Sequence, residues 1–342
     1  MQFGLFFFAA ASNGAGPYDL LLTAARFADE HDLSAVWTPE RHFHEFGGPY
    51  PNPSVTGAAI AAVTRRVGIR AGSVVMPLHH PVRVAEEWSV VDNISGGRVG
   101  VSFASGWHRN DFLFASRPYA ERNDAFWTGV QDVRSLWRGE PVAFHDADGG
   151  RHTPRIHPPP QQRELPVWIT SAGNRATAEQ AGRVGANLLT HLLGQSVPEL
   201  GETIAAYRKT RAQQPGDGHV TLMLHTFLDD DHERAVGLAR GPLMGYLRSS
   251  FGLNASAFAR MGVEVGEQDL TDDDWEVLLG VAADRYIDNN SLIGSAGRGG
   301  QMVERLAEVG VDEIACLVDF GCSPDAVLGG LRHVAALRDA YR

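Results

Sequence analysis

Cysteine is scarce in this sequence: Cys316 and Cys322 are the only two in 342 residues. Two cysteines cannot build the disulfide framework of a small secreted domain, so they point to a reducing, cytoplasmic setting. No apolar run reaches the roughly 18 residues that a membrane-spanning helix needs. The N-terminal stretch MQFGLFFFAA lacks a basic leader and reads as a first strand rather than a signal peptide. Positive charge is short as well: 30 Lys plus Arg stand against 41 Asp plus Glu, a formal net charge of −11. An acidic chain repels phosphate backbones and anionic lipid, which argues against nucleic acid or membrane as partner. There is no low-complexity segment and no strict repeat. No GxGxxG follows the first strand, so an open doubly wound sheet with a dinucleotide site there lacks its main support.

What is present is an alternation of apolar strand and amphipathic helix. Strands are expected at 2–8, 35–38, 67–75, 98–104, 165–171, 186–191, 219–228 and 312–319, each followed by a helix. Strand alternating with helix implies a parallel sheet. Eight such units fit a closed (β/α)₈ TIM barrel with insertions, treated as one domain over 1–342. Two stretches break the rhythm. Residues 139–164, rich in proline, glycine and histidine, read as a surface excursion or hairpin. Residues 229–290 read as a helical insert. Trp88, Trp127 and Trp137 lie on helices and suit either the core or a dimer interface.

In a barrel, chemistry gathers at the C-terminal ends of the strands. After the second strand comes Thr38-Pro39-Glu40-Arg41-His42-Phe43-His44-Glu45. Read as extended, Glu40, His42 and His44 face one way and Arg41, Phe43 and Glu45 the other. The cluster suits proton transfer with anion stabilisation, or, through His42-x-His44, a zinc site, or a polar plug at the mouth. Ala71-Gly72-Ser73 ends the third strand with almost no side chain, which lets a flat ligand lie on the backbone or simply packs a narrow barrel. Ala104-Ser105-Gly106-Trp107-His108 ends the fourth: small residues able to approach a cofactor, then Trp107 and His108 as pocket walls. His108 and Asp111 would otherwise cap the next helix. Ser171-Ala172-Gly173-Asn174-Arg175-Ala176-Thr177 is a glycine turn into a helix, a ready phosphate site with Ser171, Thr177 and Arg175 around it, or an ordinary cap by Asn174. His191 and Asp319 stand at the ends of the sixth and eighth strands.

Four segments together give a family resemblance: Pro39-Glu40-Arg41-His42-Phe43, His80-Pro81-Val82-Arg83-Val84-Ala85-Glu86-Glu87, Asp92-Asn93-Ile94-Ser95-Gly96-Gly97-Arg98, and Ile293-Gly294-Ser295. In order and spacing the chain resembles the bacterial luciferase-like flavin monooxygenases. Through Ser105-Gly106-Trp107-His108 and Thr190-His191-Leu192-Leu193 it is nearest to their natural-product-biosynthesis branch. The resemblance implies a barrel that binds reduced FMN, supplied by a separate flavin reductase. It implies oxygen activation as a flavin 4a-hydroperoxide, and hydroxylation of a natural-product intermediate, free or tethered to a carrier protein. It places Ala71, Gly72 and Ser73 against the flavin ring, where the family has a non-proline cis peptide. It also places Ala104 and Ser105 beside the flavin, and Ser171, Gly173, Asn174 and Thr177 at its phosphate. Glu40, Arg41, His42, His44 and His191 become the catalytic candidates. The family usually dimerises, and the 229–290 insert would serve as a water-excluding lid.

One position departs from the family. Luciferases carry a histidine base where this chain has Arg41, and arginine cannot be a general base near neutral pH. Arg41 is left to steady a peroxide or anchor an anion, and His42 or His44 to donate a proton. Three rival readings remain. One is a deazaflavin- or flavin-dependent hydride-transfer enzyme on the same fold. The second is a metal-dependent barrel hydrolase built on His42, His44, His191 and Asp319. The third is a non-catalytic flavin carrier.

Overall fold

Alternation along the first strand sets the architecture. The fold is known from a computed structural model, which describes residues 1–8, 16–251 and 271–342. Its strands are β1 (Gln2–Phe6), β2 (Ala35–Thr38), β3 (Gly68–Val75), β4 (Val99–Ala104), β5 (Phe144–His145), β6 (Arg151–His152), β7 (Val167–Thr170), β8 (Asn187–His191), β9 (Val220–Asp229), β10 (Leu292–Ser295) and β11 (Glu313–Leu317). Its helices of eight or more residues are α1 (Pro17–Glu30), α2 (Pro53–Val63), α3 (Pro81–Ser95), α4 (Arg122–Trp137), α5 (Arg175–Arg183), α6 (Val197–Arg211), α7 (His232–Phe251), α8 (Asp272–Asn290), α9 (Ala296–Glu308) and α10 (Pro324–Ala340).

The parallel order β1-β2-β3-β4-β7-β8-β9-β11 returns to β1, and the β8–β9 pairing closes the ring. This is the eight-stranded TIM barrel expected from the sequence. Odd-numbered residues of β1 (Phe3, Leu5) pack outward against the helix layer, with Val36, Val101, Ile169, Leu222 and Cys316. Phe6, Ala35, Trp37, Trp168, Leu189 and Leu317 face the barrel interior and continue into α7 and α8. Trp88 and Trp137 are 1% and 3% exposed and belong to the outer core, which leaves them nothing to offer an interface. The floor of the barrel is polar. Buried Glu313 accepts hydrogen bonds from Ser34 (2.5 Å) and Thr221 (2.8 Å), which satisfy its carboxylate away from water.

Residues 139–164 carry the small antiparallel hairpin β5–β6. The seventh unit holds one strand and one helix more than expected. β10 extends the sheet along the second half of β9, Leu292 opposite Thr226, and α9 is the return helix to β11. Glycines 297, 299 and 300 crowd the start of α9 and lower its helix propensity, which hides it in the sequence. Of the 229–290 insert, α7 and α8 are helical as expected, and residues 252–270 lie outside the described residues. Among the described residues no helix is long and apolar enough to cross a membrane.

Candidate active site

Glu40 follows the end of β2 and is 6% exposed. One carboxylate oxygen, Oε2, accepts the backbone N–H of Val75 at 2.7 Å. The other, Oε1, lies 2.8 Å from Nε2 of His42 and 2.5 Å from Nε2 of His79. Burial alone would push the carboxyl up. The hydrogen bonds from His42, His79 and Val75, with the charge of His79, outweigh it and hold the group below its ordinary value. His79 is the reciprocal case. Burial disfavours its cation, but the hydrogen bond and charge of Glu40 raise its pKa above the ordinary imidazole value.

The segment after Glu40 is not extended. Phe43 adopts φ +56°, in the left-handed region. That turn breaks the expected alternation, so His44 does not share a face with Glu40 and His42. It crosses to the Arg41 side, its ring 4.9 Å from that of His108, edge to face. Burial, Arg41 and His108 together lower the pKa of His44. His42 and His44 therefore diverge, and the zinc reading loses its ligand pair. Among the described residues no group of three or more His, Cys, Asp or Glu is arranged to hold a metal.

Arg41 is 3% exposed. Its guanidinium lies 4.7 Å from the Trp107 ring centroid and makes one long ion pair, Nη1 to Asp111 at 3.4 Å. Nε and Nη2 have no hydrogen-bond partner. Asp111 also reaches Nδ1 of His108 at 3.3 Å, so the pair binds the Arg41 cluster together rather than capping a helix. A buried cation with two idle donors is costly, and such groups mark places built for an incoming anion.

The rest of the mouth is small and hydroxylated. The Gly72–Ser73 peptide is cis. The three residues of this strand end separate by strand alternation. Ala71 packs in the outer hydrophobic layer. Gly72 turns its open side into the barrel, where a Cβ would meet Cε2 of Phe6 at 2.6 Å and Cε3 of Trp37 at 3.2 Å. A side chain at Gly72 would thus crowd the barrel core, not a ligand. Ser73 is bonded to Thr170, which bonds Ser102 at 2.7 Å. Ala104 and Ser105 are half-buried beyond them.

At the N-terminus of α5, Gly173 has φ +75°. Asn174 caps the helix by accepting the N–H of Thr177 at 3.1 Å, and Ser171 donates to the Asn174 carbonyl at 2.9 Å. Arg175 turns along the helix to Glu179, 3.1 Å away. The serine hydroxyl and the arginine are thus engaged locally. What this exposed turn offers an anion is the remaining first-turn amides, which have no acceptor within a helix.

His191 closes β8, its Nδ1 accepting the N–H of Leu193 at 3.1 Å. Asp319 accepts the N–H of Phe8 (2.7 Å) and the Tyr50 hydroxyl (3.3 Å), ties that hold the mouth loops together. Two histidines escape sequence reasoning. His79 sits in the loop after β3, with nothing in its neighbours to mark it. His225 is 1% exposed inside β9, its Nδ1 2.9 Å from the Tyr286 hydroxyl and its Nε2 without a partner. Burial, with a smaller push from His191, lowers its pKa to about 3. The ring sits among Tyr246, Tyr286 and Phe320, with centroids 4.5, 5.2 and 5.4 Å away. A signal existed: Val220, Leu222 and Leu224 alternate outward, which sends His225 inward.

A family model described as luciferase-like monooxygenase matches residues 1–313, and the chain belongs to that family. It is similar to the oxygenase component of the flavin-dependent trigonelline monooxygenase of Acinetobacter baylyi, at 28% identity over 229 residues, covering 64% of this chain and 61% of that protein. It is also similar to the F420-dependent glucose-6-phosphate dehydrogenase of Amycolatopsis mediterranei, at 29% identity over 245 residues, 67% of this chain and 71% of that one. The solved structure of the monooxygenase RslO1 from Streptomyces bottropensis shares the fold, with a TM-score of 0.81 at 24% identity and 100% of both chains covered.

Proposed function

We propose that this chain is the oxygenase component of a two-component monooxygenase. A separate reductase supplies reduced FMN, and the substrate is a natural-product intermediate, free or held on a carrier protein. The observation that carries the reading is the gathering, around one barrel mouth, of the Glu40–His42 pair and the donor-rich Arg41. The small-residue end of β3 and the open first turn of α5 supply what a flavin needs. A flat ring suits the backbone of residues 71–73, 104 and 105, and a terminal phosphate suits the backbone amides at 173–176. FMN, when bound, supplies the activation of molecular oxygen.

The chain's own residues divide the remaining work. Arg41 offers Nε and Nη2 to negative charge that develops on oxygen or on an anionic substrate, in a site where such donors act at low dielectric. His42, oriented by Glu40, holds the proton that an oxygen-transfer reaction must deliver. His44 is kept neutral by burial and by Arg41, and it serves as a wall with His108 and Trp107. His191 lines the far side of the mouth. Tyr246, on α7, packs at 4.8 Å against Phe46 and is an electrostatic neighbour of Arg41, which supports a water-excluding role for the insert. A homodimer would cover Val55 on α2 and Val90 and Ile94 on α3, which are 64%, 43% and 52% exposed.

The test is anaerobic titration of the purified chain with reduced FMN and, separately, with reduced F420. The proposal expects saturable binding of FMN and at least tenfold weaker binding of F420. The reverse preference would assign the chain to hydride transfer, the chemistry that the F420-dependent relative's name implies.

A further inference from the structure

His79 does not belong to the barrel mouth. Its side chain is 32% exposed and lines a separate cleft of about 640 Å³, set between the start of α3, α4 and the β5–β6 hairpin. His42, at the mouth, is only 12% exposed. The Phe114 ring divides the two spaces. It packs edge-on at 4.8 Å against His42, and it forms part of the cleft wall. A polar connection across this partition is Glu40, whose Oε1 is within hydrogen-bond distance of both imidazoles. Here a single oxygen joins a histidine from each compartment.

We propose that His79, Glu40 and His42 form a proton relay that carries protons from the side cleft to the mouth while the mouth stays closed to bulk water. This rests on the reading of the mouth as an oxygen-transfer site, which consumes protons yet must exclude the water that would supply them. The step balances. The proton on Nε2 of protonated His79 passes to Oε1 of Glu40, and, in the neutral tautomer of His42 that carries its hydrogen on Nδ1, the proton on Oε1 passes to the bare Nε2 of His42. Glu40 ends as the carboxylate it was, His79 has lost one positive charge, and His42 has gained one. His42 then has a proton to give at Nδ1, the nitrogen Glu40 does not engage. His79 recovers its proton from cleft water.

The charged and titratable groups facing His79 are Glu40, Glu87 on α3, and, around the cleft, His80, Arg117, Asp132 on α4 and His145 on β5. The carboxylates Glu40 and Glu87 are the neighbours that favour its cation, the state the relay starts from. The cleft volume of about 640 Å³ leaves room for a free imidazole. His79 is a positioning residue in this scheme, because it reaches the reaction only through Glu40.

The test uses the full chain and two variants. In the flavin-free protein, histidine side chains labelled with carbon-13 are titrated by NMR. In His79→Gln, the ring resonances of His42 should move from their wild-type positions, because the imidazole that shares its carboxylate oxygen is gone. Unmoved His42 resonances overturn the relay without reference to flavin. With reduced FMN and oxygen, His79→Ala should oxygenate about tenfold more slowly than wild type. Added imidazole, entering through the cleft, should restore most of the rate. A normal rate in His79→Ala, or a loss that imidazole leaves untouched, also overturns it, since the pair would then be coupled but not conducting. A wild-type chain that never oxygenates with FMN would instead sink the proposed function, while the NMR arm still reads the coupling.

Discussion

Replacing Arg41 by methionine together with Asp111 by asparagine should leave the protein as stable as wild type or more so, while removing its activity. Arg41 is 3% exposed, and two of its nitrogens have no partner. Each such buried donor costs about 1–3 kcal/mol. Against this, the double change gives up one ion pair at 3.4 Å and the contact with Trp107 at 4.7 Å. Those are together worth roughly 2–3 kcal/mol. Exchanging a buried ion pair for groups of similar volume is often neutral or stabilising. The balance runs from a loss of about 1 kcal/mol to a gain of about 4 kcal/mol, and the Asp111→Asn change avoids stranding an unpaired carboxylate. The assay is urea unfolding of the flavin-free chain by tryptophan fluorescence, alongside oxygenation turnover. A double variant destabilised by more than about 1 kcal/mol would refute the claim that Arg41 is kept for function at a cost in stability.

Three further expectations rest on the same geometry. Gly72→Val should destabilise the flavin-free protein by about 3 kcal/mol or more, because the new Cβ strikes Phe6 inside the barrel; an unchanged melting temperature would contradict this. Glu40 has a folded pKa below 4.5, so the stability it contributes is present above its unfolded pKa and is lost as pH falls through the folded one. His79 has the opposite sign: its contribution is full below 6.5 and is lost as pH rises through its raised folded pKa. Glu40→Gln should therefore flatten the acid side of a stability-against-pH curve and His79→Gln the alkaline side, and curves parallel to wild type would show that neither group is linked to folding. His225, with a pKa of about 3, should give an imidazole NMR signal that does not move between about pH 5 and 8; titration in that range would mean that its buried environment is misread.

Hydrophobic pattern is a strong messenger of fold here because both faces of each strand are buried. Largely apolar runs such as Phe3–Phe7 mark the barrel strands, broken in β3 by Arg70 and Ser73 and in β9 by Thr221 and His225. Tight signals also survive at ends, as where Pro81 opens α3 and Gly96 closes it with φ +71°. β10 and α9 were hidden because Gly294 and Ser295 leave β10 only two apolar residues and because glycines dilute the helix. The site was legible as a set of strand-end residues but not as a geometry. Alternation assumed an extended chain through Glu40–Glu45, and one left-handed residue, Phe43, undid it. Glu40 was visible as a titratable group, whereas its second partner His79 came from a different strand's loop, a contact that the parallel pairing of β2 with β3 creates. Gly72 looked like a floor for a ligand and is equally a clearance for Phe6 and Trp37.

The central claim is that this mouth activates oxygen on a reduced flavin. The most direct measurement loads the chain with one equivalent of reduced FMN without oxygen, mixes it with aerated buffer in a stopped-flow spectrometer, and follows the full visible spectrum. The account predicts a transient spectrum that is neither reduced nor oxidised FMN, shortened in lifetime when Tyr246 is replaced by alanine and water gains access. Direct conversion of bound reduced FMN to oxidised FMN, with no transient in the wild-type chain, would contradict it.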